Sequence, residues 1–227
     1  FALSETVFVL PPADPAHRAA LRIFTPEREL PFAGHPTVGA AVLLGLRDAA
    51  AGTPSGYMVL EERVGPVHCK VHPAGATTGE AIFRLPRLPA EVGAASSTAM
   101  LAGALGLDRR EIGFGNHVPS VYSAGLGFTF VPVTSLEAMR RIRLETSLWV
   151  SAVRPRENPN AYAYCRQTEE SGHQFHARMF APAMGIDEDA ATGSAVAAFA
   201  GVLMRFEKPG DGTHRFIIEQ GYEMGRP

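Results

Sequence analysis

Apolar residues along the chain fall in short runs separated by Pro, Gly and charged clusters, a pattern of many strands with few helices. Thr6 to Leu10 (TVFVL) predicts a strand that stops at Pro11-Pro12. Asp14-Pro15 then offers an N-cap and a first-turn proline, and predicts a short helix. Leu21 to Phe24 predicts a strand, and Met58 to Val64, Pro66 to Val71 and Glu80 to Leu85 predict three consecutive ones. Between them, Gly34 to Leu46 (GHPTVGAAVLLGL) predicts a helix that is small and apolar on nearly every face, so it should be surrounded by protein on all sides. Pro86 to Ser97 is rich in Pro, Ala, Ser and Gly and is expected to be an interdomain linker.

The second half repeats the style of the first. Thr98 to Leu107 predicts a short helix, and Val118 to Ala124 and Phe128 to Val133 predict strands. Thr134-Ser135-Leu136-Glu137 has the spacing of a capping box and opens a helix to about Arg143. Ala161 to Arg166 and Phe175 to Phe180 predict strands. A second small, apolar helix follows at about Gly193 to Phe206, and His214 to Glu219 predicts a closing strand.

One local match ties the halves together. Arg22-Ile23-Phe24-Thr25-Pro26 parallels Arg178-Met179-Phe180-Ala181-Pro182, and each leads through a loop into a glycine-led apolar helix. The shared order points to duplication rather than to two unrelated strand-loop-helix units. Two lobes of this kind would each wrap a sheet round one helix and meet with the helix starts near a cleft. A helix start offers unpaired N–H groups and about half a positive charge, so two facing starts could hold a carboxylate or phosphate without Lys or Arg.

Composition acts mainly by exclusion. With 227 residues, 46% hydrophobic and 19% charged, the chain can bury a core without disulfide or metal staples. A net charge of -2 supplies no basic field for nucleic acid or an anionic membrane, and Arg140-Arg141-Ile142-Arg143 is expected to be a solvated helix end. Cys69 and Cys165 stand in strand-like segments without CxxC spacing, as buried reduced thiols of a cytoplasmic protein would. No apolar run reaches the ~18 residues of a membrane span. The chain begins at Phe1, so residues ahead of it are expected and no statement about a signal peptide follows.

The chemistry-bearing residues cluster in three segments: Ser4-Glu5-Thr6, Leu30 to Pro36 and Asp187 to Ser194. Together they supply carboxylates, an imidazole and small residues that allow a ligand to approach the backbone. Each also has a plainer account. His35 could bond to backbone at its helix start, Asp189 could be a dipole-stabilised acid, and Glu188 fits that description better as a solvated one. Other motifs fail. Ser194 lacks the Gly-x-Ser-x-Gly elbow. His68, His72, His173 and His176 lack metal-ligand spacing. The glycines of 103–106 and 125–127 lack the rest of a phosphate-binding fingerprint.

At these residues the sequence resembles the phenazine-biosynthesis PhzF-like isomerase family, which shares the diaminopimelate epimerase-like fold. The carriers are Leu3 to Val9 (LSETVFV), Arg22 to Pro26 (RIFTP), Glu29 to Thr37 (ELPFAGHPT), Phe180-Ala181-Pro182, Glu188 to Ala195 (EDAATGSA) and the closing Glu219 to Pro227 (EQGYEMGRP). The resemblance implies an α+β fold of two similar lobes, each a mixed, curled, barrel-like sheet around a central helix. It divides the chain into an N-terminal lobe at 1–90, whose first strands and helix precede Phe1, and a C-terminal lobe at 98–227. The last strand is free to return to the first lobe, and a short tail would follow Pro227. It further implies a homodimer.

By the same resemblance, Glu5 shuttles the proton, His35 and Asp189 are the other catalytic polar groups, and Ser4, Gly34, Gly193 and Ser194 hold substrate. The implied reaction is a proton shift between carbons of a small cyclic or amino carboxylate, of the trans-2,3-dihydro-3-hydroxyanthranilate isomerase type, with no metal or organic cofactor. Epimerase and racemase relatives carry a cysteine pair at the helix starts, which this chain lacks. Two other readings remain: an epimerase-like or other enzyme acting on a different small acid, and a non-catalytic binder of small acids. The presence of all three polar groups argues against the binder.

Overall fold

In the computed structural model, which describes residues 5–85, 87–155 and 159–227, the first strand, β1 (Thr6–Leu10), pairs antiparallel with β2 (Ala19–Phe24). The turn between them corrects the expected helix. Asp14 Oδ1 accepts from Ala16 N at 2.9 Å, while Glu61 accepts from the amides of Ala13 and Asp14, both at 2.8 Å. A distant carboxylate thus takes amides that a helix start would have offered. The short β3 (Glu29–Leu30) returns antiparallel to β2 and leads into α1 (Gly34–Ala50). Next come β4 (Tyr57–Glu62), β5 (Gly65–Pro73) and β6 (Gly79–Phe83), paired as successive antiparallel hairpins. Because β2 pairs parallel with β4, the sheet is mixed, with the order β1-β2-β4-β5-β6. Helix α1 touches both β1 and β6, the two ends of that order, so the sheet curls round it.

The chain divides into two compact units, Phe1–Leu88 and Pro89–Pro227. The stretch expected to be linker is therefore partly structural: β7 (Ala90–Glu91) pairs antiparallel with β8 (Ser120–Ser123), across α2 (Thr98–Leu105). Then follow β9 (Gly127–Pro132), α3 (Leu136–Arg141), α4 (Thr146–Ala152), β10 (Ala161–Cys165) and β11 (Phe175–Ala181). The unit closes with β12 (Ile186–Asp189), α5 (Gly193–Phe206) and β13 (Ile218–Gln220). Its sheet runs β12-β11-β10-β9-β8-β7 and is also mixed, since β9–β10 and β11–β13 are parallel pairs. The closing strand is shorter than expected and joins this unit's own sheet.

Several local readings shift. The cap of α3 is Ser135, not Thr134: its hydroxyl accepts from Ala138 N at 3.2 Å. A complete capping box instead stands at Asp108 and Glu111. The arginines at the end of α3 are exposed, as expected of a solvated helix end, and Arg140 and Arg141 form surface ion pairs with Glu169 and Glu111. Residues Ile186–Asp189, expected as loop, are drawn into a strand by β11.

Both central helices pack through glycine. A Cβ on Gly45 would stand 2.6 Å from Val71 Cγ1, and one on Gly201 would stand 2.4 Å from the Tyr122 ring. These approaches bring α1 against β5 and α5 against β8. Around α5, the Phe199 ring meets Phe130, Tyr162, Tyr164 and Phe175 at centroid distances of 5.6, 5.9, 4.8 and 5.3 Å. The expected burial on every face is not met. His35, Gly39, Leu43 and Arg47, four residues apart along α1, are exposed, as are Val196 and Met204 on α5. An apolar composition lets a helix be buried all round without requiring it. No helix among the described residues is long and apolar enough to cross a membrane.

Candidate active site

The repeat detected in the sequence has one geometry in both units. In the first, Arg22 donates from Nε and Nη2 to the two oxygens of Glu29, at 3.0 and 3.1 Å. In the second, Arg178 does the same to Glu188 at 2.8 and 2.7 Å. Each guanidinium also lies over the phenylalanine two residues on, 4.9 Å from Phe24 and 5.0 Å from Phe180. In each case the bidentate pair ties a strand to the short strand that delivers the chain into a central helix. Glu188 is thus a clamp and not the solvated acid expected.

In the first unit that arrangement presents His35 in the first turn of α1. Its Nε2 lies 3.2 Å from Glu5 Oε2, with the Glu5 side chain 9% accessible and the imidazole 44%. Glu5 stands immediately before β1, so the start of a strand and the start of a helix bring together two residues 30 positions apart. Gly34, the first helical residue, is buried, and Ala33 at the cap position provides no side-chain bond to the turn. Ser4 lies outside the described residues.

In the second unit Asp189 ends β12 and is 4% accessible. Thr192 donates its hydroxyl to Asp189 Oδ2 at 2.5 Å, and Gln220 Nε2 donates to Asp189 O at 2.7 Å and to Thr192 Oγ1 at 3.0 Å. Gly193 and Ser194 open α5 directly beyond, and Ser194 is buried. Tyr162 adds a buried hydroxyl without a hydrogen-bond partner among the described residues. Burial first, and the Asp189 charge second, push its pKa well up, so it is held as a neutral phenol.

Sequence reasoning missed Thr192, Gln220 and Tyr162 as site residues. The first two lay inside quoted segments, but a hydroxyl and an amide gain meaning only from the carboxylate that tertiary structure sets beside them. Tyr162 carried no signal beyond a polar tip in an apolar strand.

A buried ionic chain supports this corner. His176 lies with Nδ1 2.7 Å from Glu219 and Nε2 3.0 Å from Glu223, and His173 Nδ1 lies 2.8 Å from Glu219. Among the described residues, no group of three or more His, Cys, Asp or Glu has the geometry to hold a metal ion. Cys69 and Cys165 are free and buried, and burial pushes their thiols up to about 11 and about 12. They lie in β5 and β10, away from either helix start, and cannot serve as a thiol pair there.

A model of the phenazine biosynthesis-like protein family (PhzC-PhzF) matches residues 1–227. An uncharacterized isomerase of Mesorhizobium japonicum is 48% identical over 232 residues, covering 100% of this chain and 75% of that protein. A trans-2,3-dihydro-3-hydroxyanthranilate isomerase of Pseudomonas aeruginosa is 35% identical over 226 residues, covering 99% of this chain and 73% of that one. Among solved structures, a PhzF-family phenazine biosynthesis protein of Bacillus anthracis superposes with a TM-score of 0.82 at 24% identity, over 98% of this chain and 73% of that chain, and shares the two-lobe α+β fold.

Proposed function

Since this chain belongs to the phenazine biosynthesis-like (PhzC-PhzF) family and is an isomerase of that family, we propose that it acts on trans-2,3-dihydro-3-hydroxyanthranilate or a closely similar cyclic amino carboxylate. In this reading one C–H bond of the substrate breaks, its proton passes to Glu5, and the electron pair moves along the conjugated system. The same proton then forms a new C–H bond at another carbon. Nothing is oxidised or reduced, so the chemistry calls for no metal or organic cofactor.

The observation that supports this assignment most directly is the largely buried Glu5 carboxylate facing His35 at 3.2 Å. A shuttle must accept and return one proton without losing it to solvent, and a carboxylate shielded from water with one imidazole beside it suits that task. His35 and Asp189 then exchange protons with, and orient, the substrate's polar groups. Ser4, Gly34, Gly193 and Ser194 hold its carboxylate and ring substituents. A cytoplasmic homodimer is the working form this reading adopts, on the strength of the family likeness.

The test is Glu5→Gln, which keeps the size of the side chain and removes its ability to carry a proton. KM for dihydrohydroxyanthranilate is expected to stay within a few-fold while kcat falls by ~10²–10⁴. Near-normal kcat in this variant would assign the proton to another group.

A further inference from the structure

Thr37 occupies the buried side of the α1 turn whose exposed side carries His35. Its hydroxyl oxygen lies 2.6 Å from Ala33 O and also 2.6 Å from Glu62 Oε1. A hydroxyl has one proton to donate. If it serves the Ala33 carbonyl, an ionised Glu62 would meet the same oxygen lone pair to lone pair. A protonated Glu62 removes the conflict: its O–H donates to Thr37 Oγ1, and Thr37 donates to Ala33 O.

The surroundings agree. Glu62 is 9% accessible, and its Oε2 is buried without a hydrogen-bond partner among the described residues, an arrangement costly for a carboxylate and cheaper for an acid. The neighbouring arginine turns elsewhere, with Arg63 Nη1 donating to Glu29 at 3.2 Å. Glu61 bonds to the Ala13 and Asp14 amides and to His17. Across the hairpin stands Cys69, whose thiol is raised by burial and then by the Glu62 charge. Glu5 and His35 occupy the other side of the turn. Burial pushes Glu62 up to about 7.

We propose that Glu62 is a positioning residue for the start of α1: as a neutral acid it clamps the Ala33–Thr37 turn that presents His35, and its ionisation disfavours an anionic substrate there. The substrate in this statement rests on the isomerase reading above; the protonated clamp does not.

The experiment uses the whole chain. Carboxyl carbon-13 NMR follows Glu62 in the wild-type protein, and calorimetry measures binding of 3-hydroxyanthranilate, an aromatic carboxylate with the substrate's ring substituents, to wild type and Glu62→Gln. Glu62 is expected to titrate near 7. Wild-type affinity should fall about tenfold between about pH 6 and about pH 8, the size of a like-charge repulsion over roughly 10 Å at an effective dielectric near ~20. Glu62→Gln retains a donor for Thr37 and should bind at both pH values as the wild type does at the lower one. Titration of Glu62 in the ordinary carboxylate range overturns the clamp, and needs no variant to read. Absent binding, or the same pH dependence in Glu62→Gln, overturns the positioning role. Failure of the isomerase reading looks different: no turnover of dihydrohydroxyanthranilate at any pH, with Glu62 still titrating near 7 and affinity still following it.

Discussion

Replacing His176 by leucine would test the ionic chain that holds the Asp189 corner together. The imidazole is fully buried, and both of its nitrogens face carboxylates, Glu219 at 2.7 Å and Glu223 at 3.0 Å. Only the doubly protonated ring can donate to both. Leucine fills a similar volume but supplies no proton, and leaves two carboxylates whose side chains are 2% and 11% accessible. Glu219 would retain the amides of Glu169 and Glu170 together with His173, whereas Glu223 would keep Arg178 at 3.9 Å. Removing one partner of a buried ion pair costs ~3–5 kcal/mol, and the bonds left to Glu219 favour the lower end, about 3 kcal/mol. For a chain of this size that corresponds to a fall in Tm of roughly 6–12 °C.

The pH dependence has a definite sign. Burial alone would lower the His176 pKa, but the bonds to Glu223 and Glu219 outweigh it and hold it above its ordinary 6.5. A group raised on folding adds stability that is complete below its unfolded pKa and is lost as pH rises through the folded one. Urea unfolding should therefore show wild-type stability declining on the alkaline side of 6.5, and His176→Leu should lack that slope. Glu219 and Glu223 are lowered on folding, so their contribution is lost on acidification instead. Activity should suffer as well, because Gln220, which holds Asp189 O and Thr192, follows Glu219 directly. A loss below about 1 kcal/mol at neutral pH, or an unchanged alkaline slope in the variant, would refute the imidazolium bridge.

Two further substitutions address the site and the core. Thr192→Val keeps shape but removes the donor to Asp189 and the acceptor for Gln220; it is expected to cost about 1–3 kcal/mol in urea unfolding and to lower kcat/KM at least ~tenfold, and wild-type kinetics would remove Thr192 from the site. Gly201→Ala places a methyl 2.4 Å from the Tyr122 ring, where overpacking should exceed the ~1 kcal/mol gained in helix propensity and lower Tm by several degrees; an equal or higher Tm would show that the ring yields freely.

Much of the architecture was legible from residue pattern because local physics enforces it. Strands such as Thr6–Leu10 and Phe175–Ala181 are apolar runs bounded by breakers, and α5 begins and ends where its small apolar stretch does. The matching Arg-x-Phe segments already signalled the repeat, and His35 and Asp189 stood out as polar residues beside glycine-led helix starts, whereas Glu5, ahead of a strand, was marked by the family resemblance alone. What failed depended on partners distant in the chain. Asp14-Pro15 forms a turn because Glu61, 47 residues away, takes its amide. Glu188 is a clamp because β11 aims Arg178 at it. No spacing rule could tell that Glu62 shares a proton with Thr37, or that His176 bridges two carboxylates, since burial and the direction of a lone pair arise only when separate strands and helices are packed together. Local pattern determined where both central helices and most of the longer strands lie, and tertiary structure decided the short strands β7 and β12, which charges are buried and which groups share a proton.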